Sequence, residues 1–320
     1  YDKTAFEKML EIKGDSDHTK LIDMLTDLND YSIGIEDVLK EHFDEENIVY
    51  WMAFQILMGN VDTQNRNVYL YSPLNSDIWY FIAWDNDGCL MRPEYELRNF
   101  SDQNSWEKGI SNYWGNILFQ RCLKSRSFRE KLNDAILDLR EYLNKDMLTS
   151  KIESYKNVLK PYLYLMPDAE YEPLTSEQYD QIAASLPDEI EKNYQLYLES
   201  LETPMPFYIG VPTIDGDKLK FNWDVSYDLD AEDITYSVEV ARDYLFRDVI
   251  YQNTTLTVPE AEMDLPKAGQ YFVRVRATNT SGKTQDAFDY YVTDEGKYYG
   301  MRCFYITEDS TVEEDDYEEG

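Results

Sequence analysis

The periodicity of the chain changes once, near "ETPMPFYIGVP" (202–212), and that change limits the folds open to it. Before it, apolar residues recur at helical spacing; beyond it they alternate, as in half-buried strands. Three prolines in this short span interrupt either kind of regular hydrogen bonding. The expectation is an α+β chain: a mostly helical region over 1–205, an all-β sandwich over 206–297, and a tail over 298–320, disordered from about 308. A length of 320 residues also suggests two domains.

In the first region "DHTKLIDMLTDLND" and "SIGIEDVLKEHF" read as helices, the first with an Asp placed to cap it. "DEENIVYWMAFQILMGN" is apolar nearly all round and stops at Gly59, the pattern of a helix buried in a core. Two β-rich runs, "VYLY" and "IWYFIAW", follow around a Pro-containing turn and read as a hairpin of buried strands. Helical spacing then resumes through "NYWGNILFQRCLKSRSFREKLNDAILDLREYLN", "LTSKIESYKNVLKPYL" and "TSEQYDQIAASLPDEIEKNYQLYLESL". The second region carries short alternating runs at regular intervals, among them "KLKFNWDVS", "ITYSVEVARD" and "GQYFVRVRATN". The last stretch, "EDSTVEEDDYEEG", holds eight acids and no base, a composition with little to bury.

Inventory excludes several chemistries. The formal charge of −33 disfavours nucleic acid and anionic membranes as partners; a basic protein or divalent cations suit such a field. Three dispersed cysteines, Cys89, Cys122 and Cys303, form neither a zinc knuckle nor a disulfide framework. Two histidines, His18 and His42, lack partners at metal-ligand spacing, which argues against zinc hydrolases and serine triads. The sequence has no G-x-G and no P-loop motif, and no apolar run near the ~20 residues of a membrane span. It begins at Tyr1 without a methionine, so a preceding segment is expected.

The stretch "GNVDTQNRNVYLYSPLNSDIWYFIAWDNDG" (59–88) concentrates the chemistry. It sets Asp62, Asn65, Asn67, Asp85 and Asp87 at the ends of a helix and a hairpin rather than in the hairpin turn "SPLNSD". Phosphoryl transfer needs a carboxylate at the incoming hydroxyl and hard oxygen ligands for Mg²⁺. Asp-x-x-x-x-Asn followed by a hairpin and a further Asp has the spacing of protein-kinase catalytic and metal-binding loops. On that reading Asp62 orients or deprotonates the hydroxyl, while Asn67 and Asp85 hold metal. "AWDNDGCLMRPE" partly fits a calcium loop, but Ala83 stands at its first ligand position.

"QILMGNVDTQNRNVYLY…WYFIAWDNDG" resembles the kinase-like family named for spore coat protein H (CotH) across about residues 1–205. The resemblance implies an atypical protein-kinase-like C-terminal lobe that uses ATP and Mg²⁺ or Mn²⁺ to phosphorylate protein Ser. It also implies an extracellular, cell-surface or coat-associated location. Carried onto this sequence, Asp62 is catalytic, Asp85 and Asn67 are metal ligands, and Asp87 and Asn65 are supporting candidates. "WDND" stands where a D-F-G triplet is usual, so Asp85 and Asp87 compete for the metal. No β-rich lobe with a nucleotide-binding Lys precedes these helices, so the chain alone is expected to hold metal weakly and not to transfer phosphate. "LPKAGQYFVRVRATNTSG" (265–282), with Trp223, resembles the fibronectin type III pattern. A reading from another class is a non-catalytic extracellular scaffold whose modules bind partners; metal-dependent nucleotide binding would separate the two.

Overall fold

The structure, a computed structural model, describes residues 17–64, 66–97, 106–294 and 296–314. Its elements divide between two compact units. The first comprises the described residues up to Pro93 together with Tyr113–Tyr194, and the second Glu94–Asn112 together with Gln195 onward.

Eight helices lie among the described residues: α1 (Thr19–Asn29), α2 (Ile35–His42), α3 (Glu45–Met58), α4 (Arg92–Leu97), α5 (Ile117–Lys124), α6 (Arg126–Tyr142), α7 (Lys145–Leu163) and α8 (Ser176–Glu202). None is long and apolar enough to cross a membrane. In the first unit α3 is the central element. Asp44 caps it by accepting the Asn47 N–H at 2.9 Å. Trp51, Met52, Ala53, Ile56 and Leu57 are all buried, as a helix apolar on every side requires. Trp51 stacks on Phe119 with centroids 5.6 Å apart and touches Phe81 at 4.7 Å, so α5 and the hairpin share one aromatic core.

The hairpin pairs β1 (Tyr69–Tyr71) with β2 (Tyr80–Ile82), Leu70 opposite Phe81. Asn47 clamps it to α3: its Nδ2 donates to the Phe81 carbonyl at 3.1 Å and its Oδ1 accepts the Phe81 N–H at 2.6 Å. The strands are not the buried pair that their composition suggests. Phe81 is buried, but Tyr69, Tyr71, Ile82 and Trp84 are exposed. In a strand, alternate side chains point to opposite faces, and two three-residue strands have only one face on the core.

In the second unit β3 (Thr213–Asp215), β4 (Lys218–Asn222) and β7 (Glu260–Asp264) form one antiparallel sheet. The other follows the order β13–β12–β8–β5–β6, with β9 (Thr284–Asp286) beside β8. Its members are β5 (Ile234–Ala241), β6 (Val249–Leu256), β8 (Gly269–Asn279), β12 (Met301–Ile306) and β13 (Val312–Glu314). A separate ribbon pairs β10 (Tyr290–Thr293) with β11 (Gly296–Tyr299). Leu219, Phe221 and Trp223 from one side and Val238, Val240, Val273 and Val275 from the other fill a single core. Tyr271, near the start of β8, donates its hydroxyl back to the Lys267 carbonyl at 2.7 Å, the corner seen in many sandwiches.

The expected tail needs correction. Residues 301–306 and 312–314 are strands: Cys303 lies opposite Phe272, and Tyr305 opposite Glu313. Met301 and Cys303 pack into one apolar cluster and Phe304 and Ile306 into another, so burial of both faces of "MRCFYI" outweighs the acidity that follows it. Only residues 315–320 of the expected tail lie outside the described residues.

Candidate functional site

Gly59 ends α3 in the left-handed region (φ 60°, ψ 32°), and the following amide, Asn60 N–H, returns to the Gln55 carbonyl at 3.0 Å. The chain then turns through a 3₁₀ segment, Val61–Thr63. Asn60 is buried, and its side chain caps that turn by accepting the Asp62 N–H at 3.2 Å. Thr63, fully buried, meets the Tyr113 hydroxyl at 3.1 Å. Asp62 is therefore exposed on a turn whose neighbours on both sides are fixed.

Asn67 reaches back to it, its Nδ2 donating to Asp62 Oδ2 at 2.7 Å. Past β2, Asp85 adopts φ 50° and leads into a 3₁₀ turn, Asn86–Gly88. Asn67 has φ 52°, so two site residues occupy the left-handed region that Asn and Asp tolerate better than other side chains. Two ties bring this second loop against the first. The Leu90 N–H donates to the Met58 carbonyl at 2.8 Å, and Asn86 Oδ1 accepts from Gln55 Nε2 at 3.1 Å. A Cβ on Gly88 would stand 3.0 Å from Asn60 Oδ1 and 3.7 Å from Asp62 Cβ, which shows how closely the two loops approach.

The electrostatics follow from that proximity. Asp87, and more weakly Asp62, hold the Asp85 carboxyl above its ordinary range, with some desolvation and a hydrogen bond to Asp87 acting the same way. No lysine or arginine among the described residues pairs with Asp62, Asp85 or Asp87. Three exposed acids thus share one edge with no counter-charge paired to them among the described residues. Among the described residues no group of three or more His, Cys, Asp or Glu side chains is placed to hold a metal ion. The donor set fits Mg²⁺ or Mn²⁺ in an open site instead, where one or two carboxylates suffice and phosphate or water oxygens complete the shell. Burial pushes the neighbouring Cys89 thiol up to about 11, which removes it as a nucleophile at neutral pH.

The structure brings together Asp62, Asn67, Asp85 and Asp87; Asn65 lies outside the described residues. Sequence reasoning missed the buried supports beneath them. Gln55, Asn60 and Asn86 form an amide cluster, with Asn60 Nδ2 donating to Gln55 Oε1 at 3.0 Å. Arg92 binds Glu189 at 3.0 Å and Asn193 at 2.7 Å, and Asn193 donates to the Leu57 carbonyl at 2.9 Å. Both site loops are therefore moored to α8. One signal was available: Gln55 is a lone amide in an otherwise apolar stretch of α3.

Two open cavities, of about 500 and 450 Å³, are lined by Lys156, Lys160 and Tyr164 and by Glu46, Tyr50 and Asp138 respectively; neither includes the acidic cluster.

Comparison with known proteins adds family evidence. Among solved structures, the chain is similar to the twitchin kinase region from C. elegans, at 16% identity over 30% of this chain and 20% of that one, with a TM-score of 0.22. It is also similar to domains 1–6 of the surface layer protein SbsC, at 11% identity over 95% of this chain and 39% of that one, with a TM-score of 0.17. The chain thus spans a fifth and about two fifths of those structures, and at these TM-scores neither likeness bears on fold or site. None of the curated proteins matches. The family model described as CotH kinase protein matches residues 1–197, more than half of the chain and the whole acidic edge. The chain belongs to the CotH kinase protein family.

Proposed function

We propose that the first unit is the hydroxyl- and metal-binding side of an atypical protein kinase that passes the γ-phosphoryl group of ATP to serine of a secreted, surface or coat protein. The observation that carries this reading is the convergence of Asp62 and Asn67 with the Asp85–Asp87 pair on one exposed edge. Asp62 accepts the proton of the incoming serine hydroxyl, and the Asn67 amide holds the carboxylate in place for it. The amide oxygen of Asn67 and the Asp85–Asp87 pair are the ligands that would hold Mg²⁺ or Mn²⁺. The bound cation would supply charge neutralisation at the phosphate oxygens. The Asp85 and Asp87 carboxyl groups are close enough to share a hydrogen bond, so the pair rather than either residue alone is the metal ligand.

The strong negative charge favours a basic acceptor protein and disfavours nucleic acid. For the second unit, the three-stranded sheet facing the larger one, buried Trp223 and the Tyr271 corner support a fibronectin type III-like module. Such modules usually space or dock other domains, so the chemistry is assigned to the first unit. The test is phosphate transfer from ATP with Mg²⁺ or Mn²⁺ by the native protein and by Asp62→Ala and Asp85→Ala. Both variants should lose transfer while keeping their folded circular dichroism. Full turnover in either would place the chemistry elsewhere.

A further inference from the structure

Helix α7 faces the wrong way for an ordinary surface helix. Its charged side packs inward: Lys160 Nζ lies 2.6 Å from Asp180, and Lys156 lies 2.6 Å from Glu153 and 3.9 Å from Asp180. Its apolar side points to solvent. Tyr155, Leu159 and Tyr162 recur at i, i+4 and i+7, Val158 widens the stripe, and Leu165 and Met166 continue it beyond the helix end. All six are between 52% and 73% exposed, whereas Leu148 is the helix's only buried residue.

With roughly 200 Å² for a tyrosine and somewhat less for the others, the six side chains present about 650 Å² of surface. That exceeds the roughly 300–600 Å² of the largest patch on a typical monomer and approaches the ~800 Å² per partner of a standard interface. The stripe contains no acidic side chain, although the chain as a whole carries −33. Self-repulsion, which opposes association over most of this surface, is weakest here.

We propose that this stripe is a homodimer interface, occupied by α7 of a second copy running antiparallel. A single stripe paired with itself about a two-fold axis is self-complementary and closed. The acidic edge at Asp62 and Asp85 plays no part in this contact, so it stands or falls independently of the kinase reading.

The experiment is sedimentation velocity on the whole chain from about 1 to 100 µM, the range in which a standard-size interface shows itself. The mass should double with concentration. Leu159→Asp, and independently Tyr155→Ser with Tyr162→Ser, should remain monomeric with an unchanged Tm, since these side chains are exposed. A wild-type chain that stays monomeric throughout, or a dimer that survives Leu159→Asp, overturns the proposal. Dimerisation only after removal of residues 1–16 would likewise overturn it, by assigning the stripe to that segment. So would retention on lipid vesicles without a change in mass in solution.

Discussion

Replacing Glu189 tests whether the site loops depend on their mooring to α8. The Glu189 side chain is 1% exposed and accepts from Arg92 at 3.0 Å and Lys192 at 2.6 Å. Glu189→Ala leaves Arg92, itself only a fifth exposed, without its carboxylate. Breaking a buried pair from one side costs about 3–5 kcal/mol. Arg92 keeps its 2.7 Å bond to Asn193 and some water, so the lower end, about 3 kcal/mol, is expected. Arg92→Met should cost a similar amount. The double variant should cost distinctly less than the sum, because neither charge is then stranded. Two units make a single global transition unsafe, so the assay is native-state hydrogen exchange at the amides of Asn60 and Leu90. Protection there should fall by on the order of 100-fold in Glu189→Ala, the equivalent of about 3 kcal/mol. Unchanged protection at both amides, or strict additivity in the double variant, would refute the clamp.

Other expectations are smaller. Gly59→Ala should destabilise the first unit by more than the ~1–2 kcal/mol of a left-handed non-glycine residue, because its Cβ would lie 2.7 Å from Asn193 Nδ2; chemical denaturation measures it. Asp85 has a raised carboxyl, so its favourable contribution is complete below the unfolded pKa and is lost as pH rises through the folded one. Asp85→Asn should therefore raise Tm at pH 7 and make no difference near pH 3, which thermal scans at both pH values would show. Tyr271→Phe removes the corner hydrogen bond and should cost about 1 kcal/mol in the second unit, measured by exchange at β8.

Much of this architecture was legible because periodicity and burial agree. α3 is apolar all round and is buried; the alternating runs beyond 212 are strands. The acids were found because Asp62, Asn67 and Asp85 carry a known spacing at predicted element ends. Two features were hidden for physical reasons. Exposure of Tyr69, Tyr71 and Trp84 depends on which face of a two-stranded ribbon meets the core, and aromatic composition does not encode that. The Arg92–Glu189–Asn193 mooring joins residues about a hundred positions apart, beyond the reach of any local pattern. The strands at 301–306 and 312–314 were obscured by the acidic residues around the second of them, where edge pairing needs only one apolar side chain, Val312, turned inward.

The central claim is that Asn67 and the Asp85–Asp87 pair hold a divalent cation beside Asp62 for phosphoryl transfer. Mn²⁺ titration of the chain, followed by electron paramagnetic resonance, tests it most directly. One weak site is expected, with a dissociation constant on the order of 10⁻⁴–10⁻³ M, as suits few carboxylates in an exposed setting. Occupancy should fall at least tenfold in Asp85→Ala combined with Asp87→Ala, and less in Asn67→Ala. Equal Mn²⁺ occupancy in the wild-type chain and in the Asp85→Ala, Asp87→Ala double variant would contradict the account.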